Sequence, residues 1–403
     1  MADASHITCG GWRLMGKRWI FAVTLVVLVA GGIAGWIRAD SARSVKAPPP
    51  ATSGGNAAAC VLSEPPDTSI DRDNLEGVAA VGDSVVGAGT RFLGSNAIGL
   101  TAGESSRGWK AEPVEMFQHL RSSLYDVSGD RAGGAWVVGI AGGKPAVGRW
   151  NGHSWAESPS PDPGPSLDLL SGVVAESPRL AWAVGRLNDG VAYRTLIERW
   201  DGTTWHVVTT PDVGTEPNIL KDVAVAGPDD VWAVGWRLAG RHYLALAEHW
   251  DGSRWSIVPT PDMGPGDTIL TGVAALSSED VWSVGWRSDG DVPRPVIEHW
   301  DGSRWASVPP PSDVGSAAFS AVTPMSHGVA IVGRQFVDQR PKALALLHDS
   351  AGWHAVKIEV APSPQAWLNG VAVDASGTLW AVGSRFTSEG LFASLVVSGC
   401  AGS

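Results

Sequence analysis

Few residues of this chain have the types and spacing that could support chemistry. Glu248-His249 and Glu298-His299 carry the side chains of a metal site, and Glu198-Arg199 repeats the position with the histidine replaced. Asp289-Gly290-Asp291 is an oxygen-rich loop, and Pro161-Asp162, Pro211-Asp212 and Pro261-Asp262 set carboxylates at regular intervals. Cys60 and Cys400 could form a disulfide, while Cys9 stands apart near the start. A polar column, Glu76, Tyr125, Ser171, Lys221, Thr271, Ser320 and Asn369, recurs about every fifty residues. Its carboxylate, phenol, amine, hydroxyls and amide could bind a ligand or move a proton. Which of these groups can meet depends on the elements that hold them.

Those elements repeat. Leu220 to Gly264 returns from Leu270 to Gly315 and precedes itself from Leu170 to Gly214, and self-similarity at such a period marks a solenoid, propeller or array. Each unit reads as four short strands. Leu220 to Ala226 is an apolar run closed by the turn cluster Gly227-Pro228-Asp229-Asp230. Val231 to Arg237 is rich in Val and Trp, His242 to Trp250 forms a third run and Arg254 to Thr260 a fourth. Asp251-Gly252 suits a tight hairpin because both residues tolerate positive φ, and Trp250 and Trp255 then face each other across it. No segment of the unit has the spacing and length of a helix. The unit is expected to be a four-stranded antiparallel blade.

Units begin at 75, 124, 170, 220, 270, 319 and 368, which gives seven. One blade cannot bury its own faces, whereas seven in a ring bury each against a neighbour. The expected fold class is therefore all-β, a seven-bladed β-propeller over residues 60–403, with Trp136, Trp182, Trp232, Trp282 and Trp380 packing between blades. The last copy ends after its third strand. Cys60 precedes Leu75 by the same fifteen residues that separate Trp205 from Leu220, so Cys60 to Pro65 is expected to close the ring as an outer strand. In the same alignment Ser398-Gly399-Cys400 overlies Trp200-Asp201-Gly202, which brings Cys400 beside Cys60 and predicts a disulfide between them.

In that frame most of the chemical candidates have structural explanations. The Glu-His pairs sit on third strands, about 10 Å outside the first at a strand spacing of ~4.8 Å, so copies on different blades diverge. Calcium needs about six to eight oxygen ligands, and no Asp-x-Asp-x-Asp-Gly run supplies them. The Pro-Asp steps read as turn initiators through Asx bonding. No metal and no cofactor are expected. The polar column differs, because first strands are innermost and it alone approaches the axis from all seven blades.

Ahead of the propeller, residues 1–18 form a polar tail with Arg13, Lys17 and Arg18. Residues 19–37 follow without a charge, about 28 Å of helix against a hydrocarbon core of ~30 Å. A cleavable signal has an apolar region of about 7–15 residues, so a retained single-pass anchor is expected, with secretion after cleavage as the alternative. Residues 38–59 are rich in Pro, Ala, Ser and Gly and read as a flexible tether. An oxidising compartment for the cysteine pair places the propeller outside the membrane and the tail inside. Beyond residue 60 the chain holds 24 basic and 39 acidic side chains, which argues against a nucleic-acid partner. Arginines outnumber lysines 23 to 7, a composition that resembles proteins of high-GC bacteria.

The segment Trp250 to Pro261 resembles the kelch pattern of a turn, a Trp and an apolar strand ending in Pro. Val231 to Trp236 is similar to the kelch strand that ends in paired glycines, with Gly235 alone present here. The resemblance spans about Cys60 to Cys400 and implies bacterial kelch-like or galactose-oxidase-like propellers, mostly binding scaffolds and occasionally enzymes. The turn Asp201-Gly202-Thr203-Thr204-Trp205 is similar to the sialidase Asp-box but one residue short, and the chain has only three tyrosines, Tyr125, Tyr193 and Tyr243. A radical copper site of the galactose-oxidase kind needs a Cys and Tyr pair, and both cysteines beyond the anchor are assigned elsewhere.

Two functions remain. The favoured one is a non-enzymatic, monomeric, membrane-tethered propeller that binds a protein or a cell-envelope glycan, using the polar column and the loops above it. The alternative is a glycan-acting hydrolase or lyase at the central face, which needs convergent titratable groups near the axis. The column offers Glu76, Tyr125 and Lys221 for that role.

Overall fold

A computed structural model describes residues 61–63, 73–93, 96–105, 108–117, 121–211, 213–288, 290, 292–360, 363–387, 390 and 392–399. The expected tail, anchor and tether, together with Cys60 and Cys400, lie outside the described residues. Among the described residues no helix is long and apolar enough to cross a membrane.

Seven antiparallel sheets follow one another along the chain. Blade 4 shows the pattern, with strands Asn218–Gly227, Asp230–Ala239, His242–Trp250 and Trp255–Ile257. The first strands of the other blades are Asp73–Val81, Ser122–Gly129, Leu169–Ser177, Asp267–Ser277, Ala317–Pro324 and Ala366–Val373. Each first strand packs beside the next, and that of blade 7 packs beside that of blade 1, so the ring is closed. The described chain is all-β apart from one turn of 3-10 helix at Glu115–Phe117.

Tryptophan holds the blades together. Trp136, Trp182 and Trp232 on second strands meet Trp205, Trp255 and Trp305 on the fourth strand of the following blade, at 5.0, 5.4 and 5.2 Å and nearly perpendicular. Trp282 meets Trp353 at 6.3 Å, and Trp380 of blade 7 meets Trp109 of blade 1 at 5.7 Å. Edge-to-face pairs at such spacing add roughly 0.5–1.5 kcal/mol each beyond their burial. The hairpin pairs form as expected, Trp250 opposite Trp255 in register.

Ring closure also follows the expected plan, with two differences in detail. Val61–Ser63 is the fourth strand of blade 7, antiparallel to Phe392–Gly399 with Ser63 opposite Ser398. That register gives Leu62, fully buried, the place that Trp205 has in blade 3, where the offset from Leu75 had put Cys60. The third strand is likewise displaced by one residue. Gly399 opposite Leu379 now matches Trp200 opposite Ala181, because blade 7 has five residues between Phe386 and Phe392 where blade 3 has four between Asn188 and Tyr193. The described neighbours of the two cysteines still meet, since a Cβ on Gly399 would lie 2.2 Å from the Val61 carbonyl oxygen. Blade 7 also gains a fifth strand. Lys357–Glu359, which follows the fourth strand of blade 6, pairs parallel with Val61–Ser63 and covers an edge that would otherwise be open.

Candidate functional site

The seven first strands surround an axial channel of about 420 Å³, and all seven residues of the polar column line it. One backbone irregularity, used seven times, puts them there. In every blade the pairing of first and second strands slips at the column position, for example between Leu220 and Asp222, leaving Lys221 as an extra residue. The same slip isolates Glu76, Tyr125, Ser171, Thr271, Ser320 and Asn369. Such a bulge bends the strand and re-aims one side chain.

The partner strand must accommodate the bulge, and it does so with glycine. Gly235 lies opposite Leu220, and a Cβ there would come within 2.1 Å of the Ile219 carbonyl oxygen. The equivalent glycines, from Gly89 at 1.9 Å to Gly333 at 2.3 Å, are just as close to a carbonyl. No side chain fits.

The column divides by what each member touches. Thr271 donates its hydroxyl to the carbonyls of Val284 and Phe319, a link between blades 5 and 6. Asn369 donates to Asn74 Oδ1 and to the Leu75 carbonyl, Ser384 donates to the same Asn74 oxygen, and Asn74 donates to Glu76. That network joins blades 7 and 1 without a covalent bond. Glu76, Tyr125 and Lys221 remain as the chemically versatile members.

Two arginines join them from second strands. Arg186 and Arg334 follow the strand-two glycine, opposite Leu169 and Ala318. Trp236 and Trp286 hold that position in blades 4 and 5. Arg186 stacks over Tyr193 at 4.2 Å and acts electrostatically on Tyr125 and Lys221, while Arg334 acts on Glu76. Burial pushes the Glu76 carboxyl up to about 7, against the pull of Asn74, Lys221 and Arg334. Its accessible part faces the narrow channel rather than bulk solvent. Burial lowers Lys221, Arg186 and Arg334 and raises Tyr125, in each case by disfavouring the charged form.

One position deeper, Asp126 and Asp222 reach forward over small neighbours. Asp126 accepts from Val173 N at 2.8 Å and Asp222 from Val273 N at 2.9 Å, so each carboxylate binds the next blade. A Cβ on Gly77 would lie 2.8 Å from Asp126 Oδ1, which explains the glycine there. Burial raises both carboxyls, and proximity to Asp222 raises Asp126 further. Sequence reasoning missed this pair and the two arginines. The available signal was the alternation of Gly and Asp at the third position of the units, and Arg in place of Trp after the strand-two glycine.

The outer candidates take structural places. His249 and His299 stack on Trp232 and Trp282 at 4.3 and 4.5 Å and bond Asp230 and Asp280 at 2.8 Å. Arg149 and Arg199 occupy the same place over Trp136 and Trp182. Asp201, Asp251 and Asp301 each accept two backbone N–H groups and a hydroxyl within their own turn. Asp289, Asp291 and Asp212 lie outside the described residues. Among the described residues no three His, Cys, Asp or Glu side chains gather as metal ligands.

No family model matches this chain, and no curated protein matches it. Solved structures do. A structure of YCF48 bound to D1 peptide superimposes with a TM-score of 0.55 at 13% identity, covering 89% of this chain and 100% of that one. A structure of Pyrococcus horikoshii acylaminoacyl peptidase, uncomplexed, gives a TM-score of 0.53 at 9% identity, covering 81% of this chain and 51% of that one. At these identities the likeness shows the fold, and that fold is the β-propeller.

Proposed function

We propose that this chain is a β-propeller binding scaffold that captures a protein partner at the channel mouth, tethered through residues 19–37 with the propeller outside the membrane. The observation that carries the reading is the ring itself, in which seven bulges turn seven side chains of six kinds toward one axis. A scaffold that repeats its backbone while varying one inward position presents a composed surface. The peptide bound to YCF48 on a like fold is consistent with a polypeptide ligand. The tether and the extracytoplasmic placement rest on the apolar run and on the cysteine pair.

Capture of partners from membranes by the tagged full-length protein tests the reading. Ala at Glu76, Tyr125 and Lys221 together should abolish capture while changing the melting temperature little. A partner kept by that variant but lost on altering outer-strand residues would place recognition on the blade edges and overturn it.

A second reading is favoured by a specific observation. Glu76, pushed up to about 7, lines the channel with Tyr125 and Lys221 and feels the charge of Arg334, and perturbed groups that converge in a cavity mark catalytic sites as well as binding sites. A glycan-acting hydrolase or lyase would use Glu76 as acid or base. Release of sugar products from cell-envelope glycans, lost in Glu76→Gln, would establish that reading instead.

A further inference from the structure

We propose that the channel mouth binds a carboxylate side chain of an acidic polypeptide segment, held by Lys221, Arg186 and Arg334. The inference rests on the proposed capture of a protein partner and sets the chemistry of the part that enters the channel.

The three cations feel nearby carboxylates, Glu76 and Asp222 on Lys221, Asp168 on Arg186 and Glu76 on Arg334, but make no direct pair with them. Among the described residues none of them forms an ion pair or a hydrogen bond, although ion pairs are made by Arg149 and Arg194 elsewhere in the ring. Arg186 is only 8% exposed, and its Nε is buried without a hydrogen-bond partner. Its one strong contact is the face of Tyr193. An isolated buried cation is costly, and natural structures pair such groups or reserve them for a ligand. Two of the cations repel each other, since Arg186 disfavours the charge on Lys221, while Arg334 is linked to the group through Glu76. An arriving anion relieves that repulsion.

The nearby carboxylates are already occupied. Asp168 accepts from Gly164 N and Asn188 N, Asp126 from Val173 N, and Asp222 from Val223 N and Val273 N. Glu76 takes the amide of Asn74 and is only partly ionised near neutrality. Glu76, Asp222 and Asp168 act on these cations, so they limit the charge the site can accept. A singly charged carboxylate fits, whereas a phosphate dianion would meet Asp222 and Glu76. The whole chain carries a formal charge of −11, so its general surface repels acidic segments. Lys221, Arg186 and Arg334 give the mouth a local attraction against that background.

The test uses full-length protein and a fluorescein-labelled peptide of alternating glycine and glutamate, amidated at its C-terminus, read by anisotropy. Oligogalacturonate and inorganic phosphate serve as competitors, and the glutamine version of the peptide as control. A charge-assisted hydrogen bond contributes roughly 1.5–3 kcal/mol, so the glutamate peptide should bind about tenfold or more tighter than the glutamine one. Lys221→Met should weaken it by a similar factor, and Lys221→Arg should restore most of the loss. Matching near-ultraviolet dichroism keeps the Met variant interpretable. Equal binding of the two peptides, or binding indifferent to Lys221→Met, overturns the carboxylate site while leaving protein capture standing. Binding of oligogalacturonate or phosphate without the peptide overturns the polypeptide assignment, as does the absence of binding by every probe.

Discussion

Replacing Glu298 by Gln should make the propeller more stable at alkaline pH and leave it nearly unchanged in mild acid. Glu298 is fully buried on a third strand, and neither carboxylate oxygen has a hydrogen-bond partner. Burial pushes its pKa from 4.5 to about 8. The unfolded chain therefore releases this proton at lower pH than the native state does. Between those two values the native state binds more protons, so stability falls as pH rises, by about 1.4 kcal/mol per pH unit. Below 4.5 the contribution is fully present, and above 8 it is gone, a total of at most about 5 kcal/mol. Gln keeps the shape and stays neutral. For a ring of this size, with an unfolding entropy of roughly 0.7 kcal/mol/K, 5 kcal/mol corresponds to about 7 °C. Melting temperatures of wild type and Glu298→Gln, taken from pH 5 to pH 9, should coincide within about a degree at the acid end and separate by several degrees at the alkaline end. Glu248, equally buried and unpartnered with a pKa near 8, should add a similar separation in the double variant. Parallel curves across the whole range would refute the argument, because they would mean that the carboxylate ionises in place without cost.

Three other outcomes can be measured directly. Gly235→Ala should cost about 3 kcal/mol or more, because its Cβ would strike the Ile219 carbonyl at 2.1 Å, whereas Gly227→Ala, with nothing nearer than 3.9 Å, should stay within ~0.5 kcal/mol; equal denaturation midpoints would remove the steric account of the bulge glycine. Protein that begins at residue 73 loses Val61–Ser63 and uncovers the edges of Phe392–Gly399 and Lys357–Glu359, so it should associate or unfold, and a stable monomer by light scattering would contradict that closure. Peptide mapping without reductant should recover Cys60 linked to Cys400 in protein taken from the envelope, a closure that the chain-entropy model credits with up to about 5 kcal/mol, and free thiols at both would dismiss it.

The architecture could be read from the sequence because most blades write the same few signals. Trp on the second strand in five blades, Asp-Gly at the hairpin in three and Pro after the fourth strand recur with the period of the fold, so several copies reinforce a pattern that one copy would leave ambiguous. The polar column was visible for the same reason, as an inward position that is polar in every blade and varies in kind. Single events carried no such redundancy. The extra residue between Phe386 and Phe392 shifts one strand of blade 7, and the fifth strand at Lys357–Glu359 appears once. Arg186 and Arg334 escaped because they start on second strands and act across the mouth through long side chains, a distance that strand alternation does not encode.

Gly235 shows most directly where pattern and physics part. As a pattern it resembles half of a paired-glycine strand end, and the missing second glycine would count as a defect. In the structure the single glycine is sufficient, because only one carbonyl presses on the second strand at each bulge. The bulge and the glycine form one device, since without the glycine the first strand could not carry its extra residue. Without that residue Lys221 would sit within the paired ladder instead of lining the channel. The glycine is thus constrained by backbone contact in all seven blades, while the residue it frees is constrained by none of the ladder contacts. That separation lets a repeated scaffold bear six kinds of side chain at seven equivalent places around one axis, and it makes the column a position that can vary without disturbing the ladder of any blade.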